Sequence, residues 1–362
     1  MPVTKETFVG LVKNAVANGV SDIHLRQDEK PCFRMRGDLV AIKMDPLTDT
    51  DMRTIFTTMV KDEDVLALLA KDKLREYDGS YAVPGVCRVR INFMRYQGKS
   101  GLILRIIADK IPTTAELGLP ECIDKIASAG QGLVLVTGAT GSGKSSTLAA
   151  MINTINRTQP VHILTLEDPV EYLHKPVKAR ITQREIGNDT EDFNSALRAA
   201  LRQDPDIILI GEMRDAETIG IAIKAAETGH LVFGTVHTTD ALSTIGRLIS
   251  MFPPEEQHAV RQRIADNLYA TISQRLVKKA DGNGRIAVQE IMINNPGIRD
   301  AIKDDDKTAE IYTYITKRSG GMQTFDQHLT DLYKAQKVTL EEAKSNASKP
   351  DDFERNLMFA SE

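Results

Sequence analysis

The spacing of apolar positions changes character along this chain, and each change marks a different kind of element. In residues 4–18, Phe8, Leu11, Val12, Ala15 and Val16 recur at helical spacing, and Gly19 ends the helix. Ser21 to Leu25 alternates polar and apolar residues, as a half-buried strand does. Residues 33–44 read as a hairpin turning at Gly37-Asp38. Helices are predicted over 48–60 and 62–71, the first opened by Thr48 with Asp51. Strands over 76–83, 87–96 and 102–107 complete a small α+β block with an antiparallel sheet. Pro112, Gly118 and Pro120 then interrupt any element, so 109–120 is predicted to be a linker, with the boundary near residue 110.

From Gln131 onward, short runs of Val, Ile and Leu alternate with helical stretches. The runs are 133–136, 162–166, 207–210 and 231–235; the helices follow Ser145 and cover 193–202 and 216–227. Strands that are apolar throughout are buried on both faces. Their alternation with helices predicts a doubly wound, mostly parallel α/β core over 121–254. After Pro253-Pro254, Val260, Ile264, Leu268, Ile272 and Leu276 recur every four residues and predict a buried helical stripe. Residues 281–284 form a turn and 285–293 an extended return. The region 255–362 is expected to be mainly helical.

Composition narrows the function classes. The 362 residues suffice for two or three domains of about 100–200 residues. The net charge of -4, with no basic stripe, argues against nucleic-acid binding and so against a translocase. Apolar runs are only a few residues long, so no segment is expected to cross a membrane. The N-terminus lacks the apolar core of a signal peptide. Cys32, Cys87 and Cys122 lie far apart, which fits a reducing compartment and excludes a four-cysteine zinc site. A cytoplasmic protein is expected.

The chemistry centres on Gly138-Ala139-Thr140-Gly141-Ser142-Gly143-Lys144-Ser145-Ser146, a complete G-x-x-x-x-G-K-[ST] pattern between a strand and a helix. Such a loop presents backbone N–H groups and a helix N-terminus to phosphate. Lys144 is expected to reach the β- and γ-phosphates of ATP, and the Ser145 hydroxyl to sit on Mg²⁺. Acids are needed to hold metal and orient water. Glu167, followed by Asp168 and Glu171, ends one strand, and Glu212 follows another. The ends of parallel strands converge on one crevice. Gly211 stands where a metal-binding Asp would be expected. His230 and His237 bracket the fourth strand, seven residues apart, so they cannot flank a nucleotide as a simple pair; each is a candidate to donate to the γ-phosphate and sense its loss, or a structurally satisfied histidine. Arg88, Arg90, Arg95 and Arg105 lie in the last strands of the first block. They are either exposed, acid-paired sheet residues or fingers for a neighbouring subunit's γ-phosphate.

The glycine loop, Leu166-Glu167-Asp168-Pro169-Val170-Glu171-Tyr172, Gly211-Glu212-Met213-Arg214-Asp215 and the stretch from Thr228-Gly229-His230 to His237-Thr238 occur in a telling order. They resemble the Walker A, Asp box, Walker B and His box of the secretion ATPases, the family of type II secretion and type IV pilus motors. Ser21-Asp22-Ile23-His24-Leu25 is similar to that family's N-terminal signature. Gly321-Met322-Gln323-Thr324-Phe325-Asp326-Gln327 is similar to the C-terminal part of its pilus retraction motors. The extension and secretion motors carry an added N-terminal region and a four-cysteine insert, so this chain resembles the retraction branch. Where retraction motors read Ala-Ile-Arg-Asn-Leu-Ile, this chain reads Gly297-Ile298-Arg299-Asp300-Ala301-Ile302, which leaves main and accessory motors both open.

The resemblance implies a PAS-like first domain (1–108), a RecA-like P-loop ATPase core and a hinge between them. It implies a homohexamer at an inner-membrane pilus platform protein, with a second retraction ATPase as a further partner. It also implies Arg90 and Arg105 as the arginines that complete the site, Glu167 as general base and Glu212 on Mg²⁺ or its waters. The residues alone leave open which glutamate takes the proton. A regulatory nucleotide-binding partner with little turnover of its own is the alternative function.

Overall fold

The computed structural model describes residues 3–35, 38–107 and 110–359. Gly37, in the expected hairpin turn, and Ala108 and Asp109, at the start of the expected linker, lie outside them. The chain divides into two compact units, residues 1–110 and 111–362.

The first unit runs α1 (Lys5–Ala17), β1 (Asp22–Arg26), β2 (Cys32–Met35), β3 (Asp38–Ala41), α2 (Asp49–Met59), α3 (Glu63–Ala70), β4 (Glu76–Val83), β5 (Cys87–Tyr96) and β6 (Lys99–Ile107). Its sheet has the order β3-β2-β1-β6-β5-β4, and every neighbouring pair is antiparallel. Alternate residues of β5, Val89, Ile91 and Phe93, are buried, and they pack with Phe8 of α1 and Phe56 of α2. Thr48 and Asp51 form the reciprocal cap that opens α2. Asp51 also accepts the Val3 N–H at 2.7 Å, which fixes the start of the chain against α2.

The second unit contains α4 (Cys122–Ala127), β7 (Gly132–Thr137), α5 (Lys144–Thr158), β8 (His162–Glu167), β9 (Arg180–Glu185), α6 (Phe193–Ala200), β10 (Ile207–Ile210), α7 (Ala216–Glu227), β11 (Leu231–Val236), α8 (Ala241–Ser250) and α9 (Pro254–Asn267). It continues through β12 (Leu268–Lys278), β13 (Arg285–Ile293), α10 (Pro296–Lys303), α11 (Glu310–Thr316), α12 (Phe325–Lys334), α13 (Leu340–Asn346) and α14 (Pro350–Phe359). The sheet order is β13-β12-β7-β11-β10-β8-β9, parallel throughout except for β13. The apolar strands feed two cores. Leu133 and Leu135 of β7 join the core that contains α6, α7 and α8, whereas Val134 and Val136 join the one that contains α4 and α5. No helix among the described residues is long and apolar enough to cross a membrane.

Three features differ from these expectations or add to them. The stripe from Val260 to Leu276 is not one helix: α9 ends at Asn267, and Leu268 and Ile272 lie on β12. Four is a multiple of the strand period of two, so this spacing fits one face of either element. As a result β12 and β13 extend the core sheet, and the region after 254 is helical over α9 and again beyond Ile293, with two strands between. Second, β9 forms the edge of the sheet although its sequence, Arg180-Ile181-Thr182-Gln183-Arg184-Glu185, is mostly polar. An edge strand has one unpaired side and needs no continuous apolar run. Third, the segment expected to be a linker makes ordered contacts from Thr113 onward. Leu117 N donates to Thr113 O at 3.1 Å, and the buried Thr114 hydroxyl lies 3.0 Å from both oxygens of Asp124 in α4. Proline and glycine there interrupt regular elements without freeing the chain.

Gly297, which with Asp300 and Ala301 departs from the retraction-motor pattern, is fitted to its surroundings. A Cβ at that position would stand 2.5 Å from the Tyr314 ring of α11. The substitution therefore makes room for an aromatic residue on the adjoining helix.

Candidate nucleotide site

The phosphate loop leaves β7 and enters α5 through Gly143, which takes a left-handed conformation with φ 90°. At Gly138 a Cβ would stand 2.4 Å from the Gln274 carbonyl oxygen of β12, so no side chain fits. The first helical hydrogen bond of α5 runs from Thr147 N to Gly143 O, so the N–H groups of Lys144, Ser145 and Ser146 precede the helical ladder. Lys144 is buried, and its Nζ donates to the carbonyls of Gly138 and Ala139 at 2.8 and 3.1 Å. Burial holds this amine below the ordinary lysine range, against the pull of Glu212 and Glu171. The Ser142 hydroxyl is buried and has no hydrogen-bond partner in the protein. A lysine held by loop carbonyls, an unpaired buried hydroxyl and an uncapped helix start fit a phosphate chain.

The acids stand at the same end of the sheet. Leu166, Ile210, Gly234 and Leu135 lie in register across β8, β10, β11 and β7, so the residues just beyond them share one level. Glu167 closes β8, and its Oε1 accepts from the Thr165 hydroxyl at 2.7 Å and from Gln183 Nε2 at 3.1 Å. Burial raises its carboxyl above the ordinary glutamate range, and the hydrogen bonds from Thr165, Gln183 and the Glu171 N–H offset this only in part. Gly211 follows β10. A Cβ there would approach Leu166 O at 3.1 Å and Glu167 Cα at 3.3 Å, so close strand packing accounts for the missing aspartate. Glu212 comes next, with Arg214 Nη2 at 2.5 Å and His237 Nε2 at 3.1 Å. The Arg214 hydrogen bond, then the charges of Arg214, His237 and Lys144, hold its carboxyl below the ordinary range. The two environments push the two glutamates apart, so Glu212 stays charged while Glu167 is the better proton acceptor.

Not every predicted residue is brought here. His237 follows β11 at the loop end, whereas His230 precedes β11, and its carbonyl accepts from Gly132 N at the start of β7. His230 thus lies at the opposite end of the sheet, where its Nδ1 is 2.9 Å from Ala225 O. Within this chain the geometry removes it from the phosphate loop. Arg90 and Arg105 belong to the first unit, where they are register partners on β5 and β6. Like charges directly opposite are unfavourable; Asp22, the partner of Arg105 on β1, offsets this with an ion pair at 2.9 Å. The side chain of Arg105 remains 67% exposed, so the pair still presents a guanidinium to solvent. Arg95 is acid-paired with Asp72 at 2.6 Å, and Arg88 donates to the Ser80 hydroxyl at 2.5 Å.

Sequence reading missed the support behind the loop, because glutamines on strands carry no motif. Gln274 Nε2 donates to Ser142 O at 2.6 Å, and its Oε1 accepts from the Thr147 hydroxyl at 2.7 Å and from Gln289 Nε2 at 2.8 Å. Gln289 N donates to His328 Nδ1 of α12 at 2.9 Å, and burial lowers that imidazole to about 4, so it stays neutral. A lone Gln interrupting the apolar face of β12 was the available signal.

One buried acid nearby sets a pH dependence of stability. Glu290 of β13 accepts the Ala241 N–H at the start of α8, and burial pushes its carboxyl up to about 7. Asp240 and Asp326 add to this and Arg275 opposes it. The folded chain keeps a proton that the unfolded chain has released at an ordinary glutamate pKa. The contribution is therefore fully present below about pH 4 and is lost as pH rises through 7. Glu290→Gln, which keeps the acceptor for Ala241, is expected to melt several degrees higher than the parent at pH 8 and no higher at pH 4.5. That corresponds to about 3 kcal/mol. Thermal melts across this range check it; an unchanged difference between the two pH values would contradict it.

Comparisons place this geometry among known proteins. The model of the type II/IV secretion system protein family matches residues 2–344. The chain is 44% identical over 346 residues to the type IV pilus retraction ATPase PilT of Pseudomonas aeruginosa, covering 95% of this chain and 98% of that protein. It is 36% identical to the type IV pilus ATPase PilU of the same organism, covering 98% and 92%. A crystal structure of the pilus retraction motor PilT with bound ADP superposes with a TM-score of 0.88 at 40% identity, covering 98% of this chain and 99% of that one. The chain belongs to the type II/IV secretion system protein family.

Proposed function

We propose that this chain is an ATPase motor that drives retraction of a type IV pilus. The observation that carries it is the meeting of the phosphate loop with Glu167, Glu212 and His237 at one sheet edge, in a chain 44% identical to PilT over nearly its whole length. Lys144 exchanges the Gly138 and Ala139 carbonyls for phosphate oxygens, and the Ser142 hydroxyl gains the partner it lacks. Mg²⁺, when bound, would supply charge neutralisation at the phosphates, and the Ser145 hydroxyl and Glu212 would hold it or its waters. Glu167, with its raised affinity for a proton, takes one from the attacking water. His237, beside Glu212, links the state of the phosphate to the end of β11.

The motor acts as a homohexamer in the cytoplasm, at the inner-membrane base of the pilus machine. Arg90 and Arg105 then offer positive charge to the γ-phosphate of a neighbouring copy. Its partners are a platform protein and, by analogy with PilU, a second ATPase. The identity to PilT exceeds that to PilU, and Tyr314 gives Gly297 a local cause, which together favour the main motor over the accessory one. Deleting the gene and imaging pili tests the reading. Excess pili that do not retract are expected; loss of pili would point to an extension motor instead.

A further inference from the structure

The edge strand β9 brings one polar side chain to the site. Gln183 is the register partner of Thr165, and both donate to the same oxygen of Glu167, at 3.1 and 2.7 Å. The Gln183 amide is also tied to the loop after Glu167. Its Nε2 donates to Tyr172 O at 2.8 Å, and its Oε1 accepts from His174 N at 2.8 Å. The His174 N–H is a backbone donor and needs an oxygen opposite it, which fixes the amide so that its NH₂ faces Glu167. Tyr172 closes the circuit: its hydroxyl lies 2.8 Å from the Ser146 hydroxyl, on the first turn of the phosphate-loop helix. A single planar group thus ties together the glutamate, the loop behind it and, through Tyr172, α5.

We propose that Gln183 is a positioning residue for ATP hydrolysis, its side-chain amide fixing the Glu167 carboxyl relative to the phosphate loop. The proposal rests on the reading of Glu167 as the proton acceptor. With Oε1 engaged from two sides, rotation of the carboxyl breaks both of these hydrogen bonds. Without Gln183 it keeps the Thr165 hydroxyl and the Glu171 N–H as donors but loses the amide that ties it to β9, and gains rotational freedom. Misplacing a catalytic group by about 1 Å costs roughly 100-fold in rate. Nucleotide affinity should not follow, because Gln183 touches neither the loop backbone nor Lys144.

The test is a double-mutant cycle on the full-length protein, read by phosphate release. Gln183→Met keeps the side-chain length and removes both hydrogen-bonding functions. It is expected to lower kcat about 10- to 100-fold with KM for ATP unchanged. In a Glu167→Gln background the same change is expected to have no further effect on the residual rate. A wild-type kcat for Gln183→Met, with Glu167→Gln inactive, would overturn the proposal and leave the Glu167 reading standing. An equal loss in both backgrounds would overturn it too, because it would show a general loosening of the loop. Full activity of Glu167→Gln would remove the Glu167 reading itself, and the proposal with it. Should Gln183→Met fail to fold, Gln183→Glu retains the acceptor for His174 N, withdraws the donor from Glu167, and is scored in the same way.

Discussion

Glu167→Gln is expected to lower ATP turnover by about 10²–10⁴-fold while leaving nucleotide binding intact. The amide has nearly the shape of the carboxyl and can still accept from Thr165 and Gln183, so the strand end keeps its geometry. What disappears is the basic oxygen. Burial raises the proton affinity of that oxygen in the parent, which suits a group that must take a proton from water near neutral pH. Glu212 cannot substitute, because Arg214, His237 and Lys144 all favour its charged form. Phosphate release measured beside binding of a fluorescent nucleotide separates the two effects. Turnover at the parental rate would move the proton-accepting role elsewhere; loss of binding would mean that Glu167 shapes the pocket instead.

The fold was legible where burial imposes a single pattern. The strands β7, β8, β10 and β11 are apolar throughout because both faces are covered, and no helix of that length would be. The glycine loop was legible because positive φ and close approach to Gln274 leave no other residue possible at Gly138. Legibility failed at the two margins of the core sheet. At one margin, β9 has only one paired side and carries polar residues, so no apolar run marks it. At the other, a four-residue spacing concealed the change from α9 to β12. The supporting groups went unseen with those strands: Gln183 is on β9 and Gln274 on β12. The motif residues were visible as chemistry, but the groups that hold them are glutamines whose meaning lies only in what they touch. His230 shows the reverse case, a residue in a recognisable box that the strand direction carries to the far end of the sheet.

Lys144→Met is expected to remove turnover almost completely, by about 10²–10³-fold or more, and also the stabilisation that ATP gives the folded chain. In contrast with Glu167, the lysine acts on binding as well as on rate, because its ammonium meets phosphate charge in both the bound and the reacting states. The effect on the ligand-free protein should run the other way. The Lys144 amine is buried, held by two neutral carbonyls and shifted below its usual range, so its charge is a cost that folding bears before any phosphate arrives. Methionine fills the same space without that charge. The variant should therefore melt at or above the parental temperature without nucleotide. The parent should gain about 2.7 kcal/mol of stability at a nucleotide concentration of roughly 100 Kd, and the variant should gain nothing measurable. Thermal melts with and without Mg²⁺-ATP read both halves. A variant that is less stable without nucleotide would show that the ammonium supports the loop itself; a variant still stabilised by ATP would show that the backbone N–H groups and helix N-terminus suffice to hold the phosphates.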